Sequence, residues 1–224
     1  MLLFASIFGF IEVLARNFQS GGIFMYAIGV MFLLALAIGI ERSYALFMKY
    51  YVDGTAFMAT VLKPLANGKI DEAIKICNFH KQTALAKVIN AGLSVAKEGE
   101  EAMQYAIDEA TLDVLPDVQK RTVYLQMIAN VATLLGLLGT IVGLIGAFAG
   151  LTEIDPAARQ DALGQGISVA LNTTAFGLIV AIPAMIFHSI LMTRTLRIVD
   201  DIDRFSVKLS NVLFRTLGKK KKGN

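Results

Sequence analysis

The sequence predicts an all-α integral membrane protein, with three transmembrane helices and long helical segments outside the bilayer. Of its 224 residues, 55% are hydrophobic and only 17% charged, and the mean hydropathy is +0.61; soluble domains carry roughly a quarter charged residues. The charges also avoid three tracts. Residues 17–40, 122–152 and 162–193, of 24, 31 and 32 positions, contain no Asp, Glu, Lys or Arg. A helix needs about 20 apolar residues to cross a hydrocarbon core of about 30 Å, so each tract is long enough. The 81 residues of the polar segment 41–121 are too few to enclose all three tracts as the core of a soluble protein. Nothing reads as a strand, and there is no internal repeat.

Each element follows in order. The opening MLLFASIFGFIEVLARNF lacks the basic start of a secretory signal and is too short to span before Arg16. Glu12 and Arg16 lie one helical turn apart, so residues 1–20 are expected as an interfacial helix. The first span covers 21–41, and a helix is expected to continue from Glu41 to Leu65, ending near Pro64 and the Asn67-Gly68 turn. A short helix then begins near Asp71, with Ala73, Ile74, Ile76 and Cys77 as its apolar members. Cys77 is the only cysteine, which excludes an intrachain disulfide and fits a reducing compartment. From Glu100 a helical pattern leads into the second span, 126–150, with Pro116 as a kink or break. A loop over 151–163 joins it to the third span, 164–192. Beyond it, Leu196, Val199, Ile202, Phe205, Leu209, Val212 and Thr216 recur at threes and fours, predicting an amphipathic helix within 193–224.

Basic residues beside the spans set the orientation. One, Arg16, precedes the first span, and one, Arg159, sits between the second and third among Glu153, Asp155 and Asp161. Nine follow the third: Arg194, Arg197, Arg204, Lys208, Arg215 and Lys219 to Lys222. The C-terminus is therefore expected inside and the N-terminus outside. The segment 42–125 then forms a cytoplasmic helical domain, nearly balanced in charge. Beside a membrane the final lysine run reads as a solvated anchor, with no nucleic-acid partner implied.

Apolar helices associate through small residues that let backbones approach closely. Gly136, Gly139, Thr140, Gly143, Gly146, Ala147 and Gly150 share one face of the second span. Gly166, Ala170, Thr173, Thr174, Gly177, Ala181 and Ala184 share one face of the third. Because these spans run antiparallel, Thr140, Thr173 and Thr174 can reach similar depth, with Asn172 on another face. Hydroxyls that both donate and accept suit an ion or proton route in a low-dielectric setting, whereas glue between helices is the plainer role of a membrane threonine. No carboxylate lies inside any of the three charge-free tracts, although ion-coupled machines use intramembrane ionisable groups; another chain would have to supply one. His188, at the end of the third tract, suits proton transfer or simple packing. No catalytic, metal-ligating or phosphate-binding constellation is present, so neither an enzyme nor a cofactor is expected.

GLLGTIVGLIGAF (136–148) and GISVALNTTAFGLIVAIPA (166–184) resemble the paired membrane motifs of the MotA/TolQ/ExbB family, and IERSYALF (40–47) is similar to that family too. Three spans resemble the ExbB/TolQ branch. The resemblance implies a homopentamer around a dimer of a single-span ExbD/TolR-like protein whose membrane aspartate carries the ion. It also implies the bacterial inner membrane and a TonB/TolA-like protein beyond the partner. Thr140 matches the threonine of GLLGT, and Thr174 the threonine before the AxGL element; both would line the ion route. Val169 stands where the family usually has an acidic residue, and Thr133 where a proline is common. Thr173-Thr174 resembles sodium-driven members, so Na⁺ is the alternative to H⁺. The same stripes would also serve a passive helical scaffold, whereas a self-sufficient channel is disfavoured by the lack of charge inside the spans.

Overall fold

The computed structural model describes residues 22–152 and 155–222, with side chains through residue 214. The interfacial helix expected over 1–20 and the side chains of the lysine run lie outside the described residues. The described chain is helical, with no strand. Its α-helices are α1 (Ile23–Tyr44), α2 (Gly54–Ala66), α3 (Ile70–Phe79), α4 (Ala84–Ser94), α5 (Glu100–Gln119), α6 (Thr122–Ala149) and α7 (Pro156–Lys222). Among the described residues, three helical stretches are long and apolar enough to cross a membrane, one in each of the charge-free tracts. The chain is thus an all-α multi-pass membrane protein, as its composition predicts.

The helices contribute to two compact units, one of residues up to Gly39 with Val123–His188, the other of Ile40–Thr122 with Ser189 onward. In the first unit α1, α6 and α7 meet in a core of Ile28, Ala129, Ala132, Val180, Ala181 and Ala184, bordered by Met31, Ala35, Leu135 and Phe176. Helices suit this setting because each satisfies its backbone polar groups internally where no water can do so. Their outer faces remain apolar: Leu134 and Ile145 are each 62% exposed and Phe148 63%. Such a surface fits lipid, not water. Pro183 lies within α7 without ending it.

In the second unit α2 packs on α3, α3 on α4, and α4 on α5. The last contact is close because Gly92 has no side chain; a Cβ there would come within 2.7 Å of Ile107 Cγ1. The outer part of α7 joins this unit through Phe205, whose ring covers the space a side chain at Gly54 would need. Cys77 is buried here, and burial pushes its thiol up to about 12.

Three expectations change. The helix after the first span is not continuous to Pro64: it widens into a π-turn, Ala45–Lys49, and stops. Asp53 then starts α2 by accepting hydrogen bonds from Thr55 N at 3.0 Å and Ala56 N at 3.2 Å, a local cap that competes with continued helix. Pro64 lies inside α2, which ends at Asn67 before the left-handed Gly68 (φ 74°). Pro116 does not break its helix either. It forfeits one bond toward Leu112, yet Lys120 N still donates to Pro116 O at 2.9 Å, and α5 runs on to Gln119, the break coming at Arg121, whose φ is 61°. Finally, the buried stripe of the outer α7 is Ile198, Ile202, Phe205, Leu209 and Leu213, while Leu196 is 49% exposed. The predicted periodicity holds, but the stripe is rotated: Val199 and Val212 are only half-buried.

Candidate functional site

The small-residue stripes of α6 and α7 face each other. A Cβ on Gly143 would sit 2.8 Å from both Ala170 N and Gly166 O, and one on Gly177 would sit 2.7 Å from Ala132 O. A Cβ on Gly166 would reach Ala147 Cβ at 2.5 Å, and one on Gly136 would reach Thr173 O at 3.2 Å. Gly150 meets Ala162 in the same way. From Ala132 to Gly150 the seam runs about 27 Å at 1.5 Å per residue, close to the thickness of a hydrocarbon core. Only glycine and alanine allow two backbones this near, so the stripes are explained by packing within one chain. Ala170 and Ala181 are buried along the same side of α7. Gly146 is the departure: nothing lies within 4 Å of a Cβ there. It opens onto a groove lined also by Val142, Gln165 and Val169.

The three threonines separate into two roles. Thr140 and Thr174 are half-buried and their hydroxyls hydrogen-bond each other across the seam. Thr140 Oγ1 also lies 3.2 Å from Gly136 O and 3.2 Å from Ala170 O, and Thr174 Oγ1 donates to Gly136 O at 3.1 Å. Two hydroxyl protons are shared among these acceptors, and each hydroxyl has one to give. Three arrangements that keep the bond between the hydroxyls therefore make the same number of bonds: Thr140 to Thr174 to Gly136 O, Thr174 to Thr140 to Ala170 O, or Thr174 to Thr140 to Gly136 O. Rotating both hydroxyls exchanges the first for either of the others. Four oxygens, two hydroxyl and two carbonyl, thus converge between the helices.

Thr173 does not join this pair. It is fully buried, its hydroxyl donates to Val169 O on its own helix at 2.6 Å, and its side chain fills the space left by Gly139. Asn172 faces elsewhere and donates to Ser168 Oγ at 3.2 Å. His188 is half-buried in α7.

A second polar constellation, in the other unit, was not singled out by sequence reasoning beyond the motif that contains it. Arg42 is fully buried at the end of α1 and donates to the carbonyls of Val118 and, at 3.4 Å, Asp117. Those are C-terminal carbonyls of α5, where a cation is favoured by the helix dipole. Beside it Arg121 Nη1 pairs with Glu41 Oε2 at 2.7 Å. Glu41 and Arg42 of IERSYALF therefore bind the C-terminal end of α5 and the Arg121 that follows it. Nearby, a hydrogen bond from Lys120 holds the Asp117 carboxyl below its ordinary range.

The profile of the MotA/TolQ/ExbB proton channel family matches residues 80–204, which include the whole seam and both paired threonines. A protein of Synechocystis sp., named as a biopolymer transport ExbB-like protein, is 30% identical over 191 residues, covering 80% of this chain and 85% of its own. A protein of Methanothermobacter thermautotrophicus, named as a biopolymer transport ExbB homolog, is 27% identical over 208 residues, covering 92% of this chain and 72% of its own. With the membrane motifs, the helix order and these relatives in agreement, the chain belongs to the MotA/TolQ/ExbB proton channel family, in its ExbB-like branch.

Proposed function

We propose that the chain is the stator and channel subunit of an ion-motive-force-driven motor in the bacterial inner membrane. Five copies surround a dimer of an ExbD/TolR-like protein, with the N-terminus outside and the C-terminus inside. H⁺ passes beside Thr140 and Thr174, the partner's membrane aspartate carries it, and the partner turns. The work reaches the periplasm through a TonB/TolA-like protein, as in TonB-dependent transport or envelope maintenance. The observation that carries this reading is the Thr140–Thr174 pair, two hydroxyls hydrogen-bonded to each other in apolar tracts that contain no acid of their own. It offers hydrogen-bonding oxygens to an ion while leaving the charged group to another chain.

Replacing either threonine by valine keeps the shape and removes the hydroxyl. Thr140→Val and Thr174→Val should each lower ion-driven activity at least about tenfold, since one lost charge-assisted hydrogen bond of about 1.5–3 kcal/mol corresponds to that factor or more. Assembly should persist. Full activity in both variants defeats the reading, and normal activity with weakened assembly favours the passive scaffold. Four converging oxygens also suit a hard cation, so Na⁺ is the second reading; activity that vanishes in sodium-free buffer at constant pH selects it.

A further inference from the structure

We infer that the outward face of α5 in one copy docks against a basic stripe of α7 in a neighbouring copy of the same chain. The inference rests on the homo-oligomer reading above. α5 contains six acidic residues and no lysine or arginine. Its inner side, Met103, Ile107, Val114 and Val118, is buried. Opposite lie Glu101, Tyr105, Asp108 and Leu112, spaced four, three and four, which puts them on one face, with the exposed Glu109 at its edge. Tyr105 is 67% and Leu112 70% exposed. Two large apolar side chains at seam spacing, flanked by acids, have the pattern of a helix that packs on another helix.

α7 carries the complement. Arg197, Arg204 and Lys208, spaced seven and four, lie together on an exposed flank turned away from Ile198, Ile202, Phe205 and Leu209; Asp200 borders that flank, and Asp201 is half-buried beside Gly54. Among the described residues, neither these cations nor Glu101, Asp108 and Glu109 belong to an ion pair.

An acidic face on one helix and a basic face on another form a head-to-tail contact. Each copy uses one face toward each neighbour, and such contacts close into a ring when the rotation permits. Exposed pairs of this kind fix register and partner choice more than they add affinity.

The full chain in detergent, followed by native mass spectrometry on dilution, tests the docking. Glu101→Arg with Glu109→Arg, or Arg197→Glu with Arg204→Glu, should each loosen the oligomer about tenfold or more, and the two sets combined should restore it. A second measurement does not rely on reversed charges. Copies bearing Glu101→Cys are mixed with copies bearing Arg204→Cys, and a short bis-maleimide should join them. A monomeric wild-type chain overturns the oligomer reading and this docking with it. An oligomer that is indifferent to both reversals and gives no cross-link overturns the docking alone. So does sensitivity confined to the α5 reversal, which assigns the acidic face to a different partner.

Discussion

Gly143 and Gly146 are three residues apart in one motif, and their sequence neighbourhoods give no reason to treat them differently. Their surroundings do. A methyl group on Gly143 would press on Ala170 N and Gly166 O, both backbone atoms at 2.8 Å, whereas one on Gly146 would meet nothing within 4 Å. Backbone cannot swing aside as a side chain can, so the helices must part. Gly143→Ala should cost about 1–3 kcal/mol, the usual range for overpacking a close contact. Gly146→Ala should be neutral or slightly stabilising, because alanine exceeds glycine in helix propensity by up to about 1 kcal/mol. Thermal unfolding in detergent orders the two; a larger loss for Gly146→Ala would mean the seam is misassigned. Lost activity with unchanged stability in Gly146→Ala would instead mean that the groove beside it receives another helix. The stripes were legible because close helix packing leaves few choices but glycine and alanine. Their partner was not: small residues announce a tight contact without naming its other side, and here each stripe is the other's neighbour. The same limit applied to Thr173, which the spacing grouped with Thr140 and Thr174 until its burial against Gly139 separated it.

Helix ends were harder to read than helices. The three spans stand out because charge is excluded over more than 20 consecutive positions in each, but the breaks after Lys49 and at Arg121 depend on single contacts. Arg42 is the clearest case: it meets carbonyls 75 and 76 residues away, and a backbone carbonyl has no signature in sequence. Its guanidinium supplies donors in a fixed fork that lysine lacks. Removing it should leave the end of α5 short of partners in a buried place. Arg42→Met should therefore destabilise by about 1–3 kcal/mol, the cost of leaving buried polar groups unmet. Glu41→Gln, which loses only the partly exposed pair with Arg121, should cost under about 1 kcal/mol. Limited trypsin digestion reads both directly, since Lys120 and Arg121 mark the junction being held. Cleavage there should quicken markedly in Arg42→Met and little in Glu41→Gln; the opposite order would make the surface ion pair, not the buried arginine, the clasp.

At the scale of the whole molecule, the distribution of charge carries the most information. Nine basic residues follow the third span, while Arg159 is the only one between the second and third, and Lys/Arg bias near span ends is what orients a membrane protein. That asymmetry predicts that Ala157 faces outside and Glu98 inside. The chain suits a labelling test because its own cysteine is silent. Cys77 is buried with its thiol pushed up to about 12, and since the thiolate is the reactive species, almost none forms at neutral pH. Ala157 and Glu98 are both exposed, so a cysteine at either should be freely reactive once reagent reaches it. In right-side-out membrane vesicles, a membrane-impermeant maleimide should label Ala157→Cys and leave Glu98→Cys unlabelled until the vesicles are opened. The unaltered chain should remain dark in both conditions. Labelling of Glu98→Cys in sealed vesicles would invert the orientation and move the acidic face of α5 and the basic stripe of α7 to the other side of the membrane. The hydroxyl pair between α6 and α7 would be unaffected by that inversion, because its geometry belongs to the seam and not to the direction in which the chain is threaded.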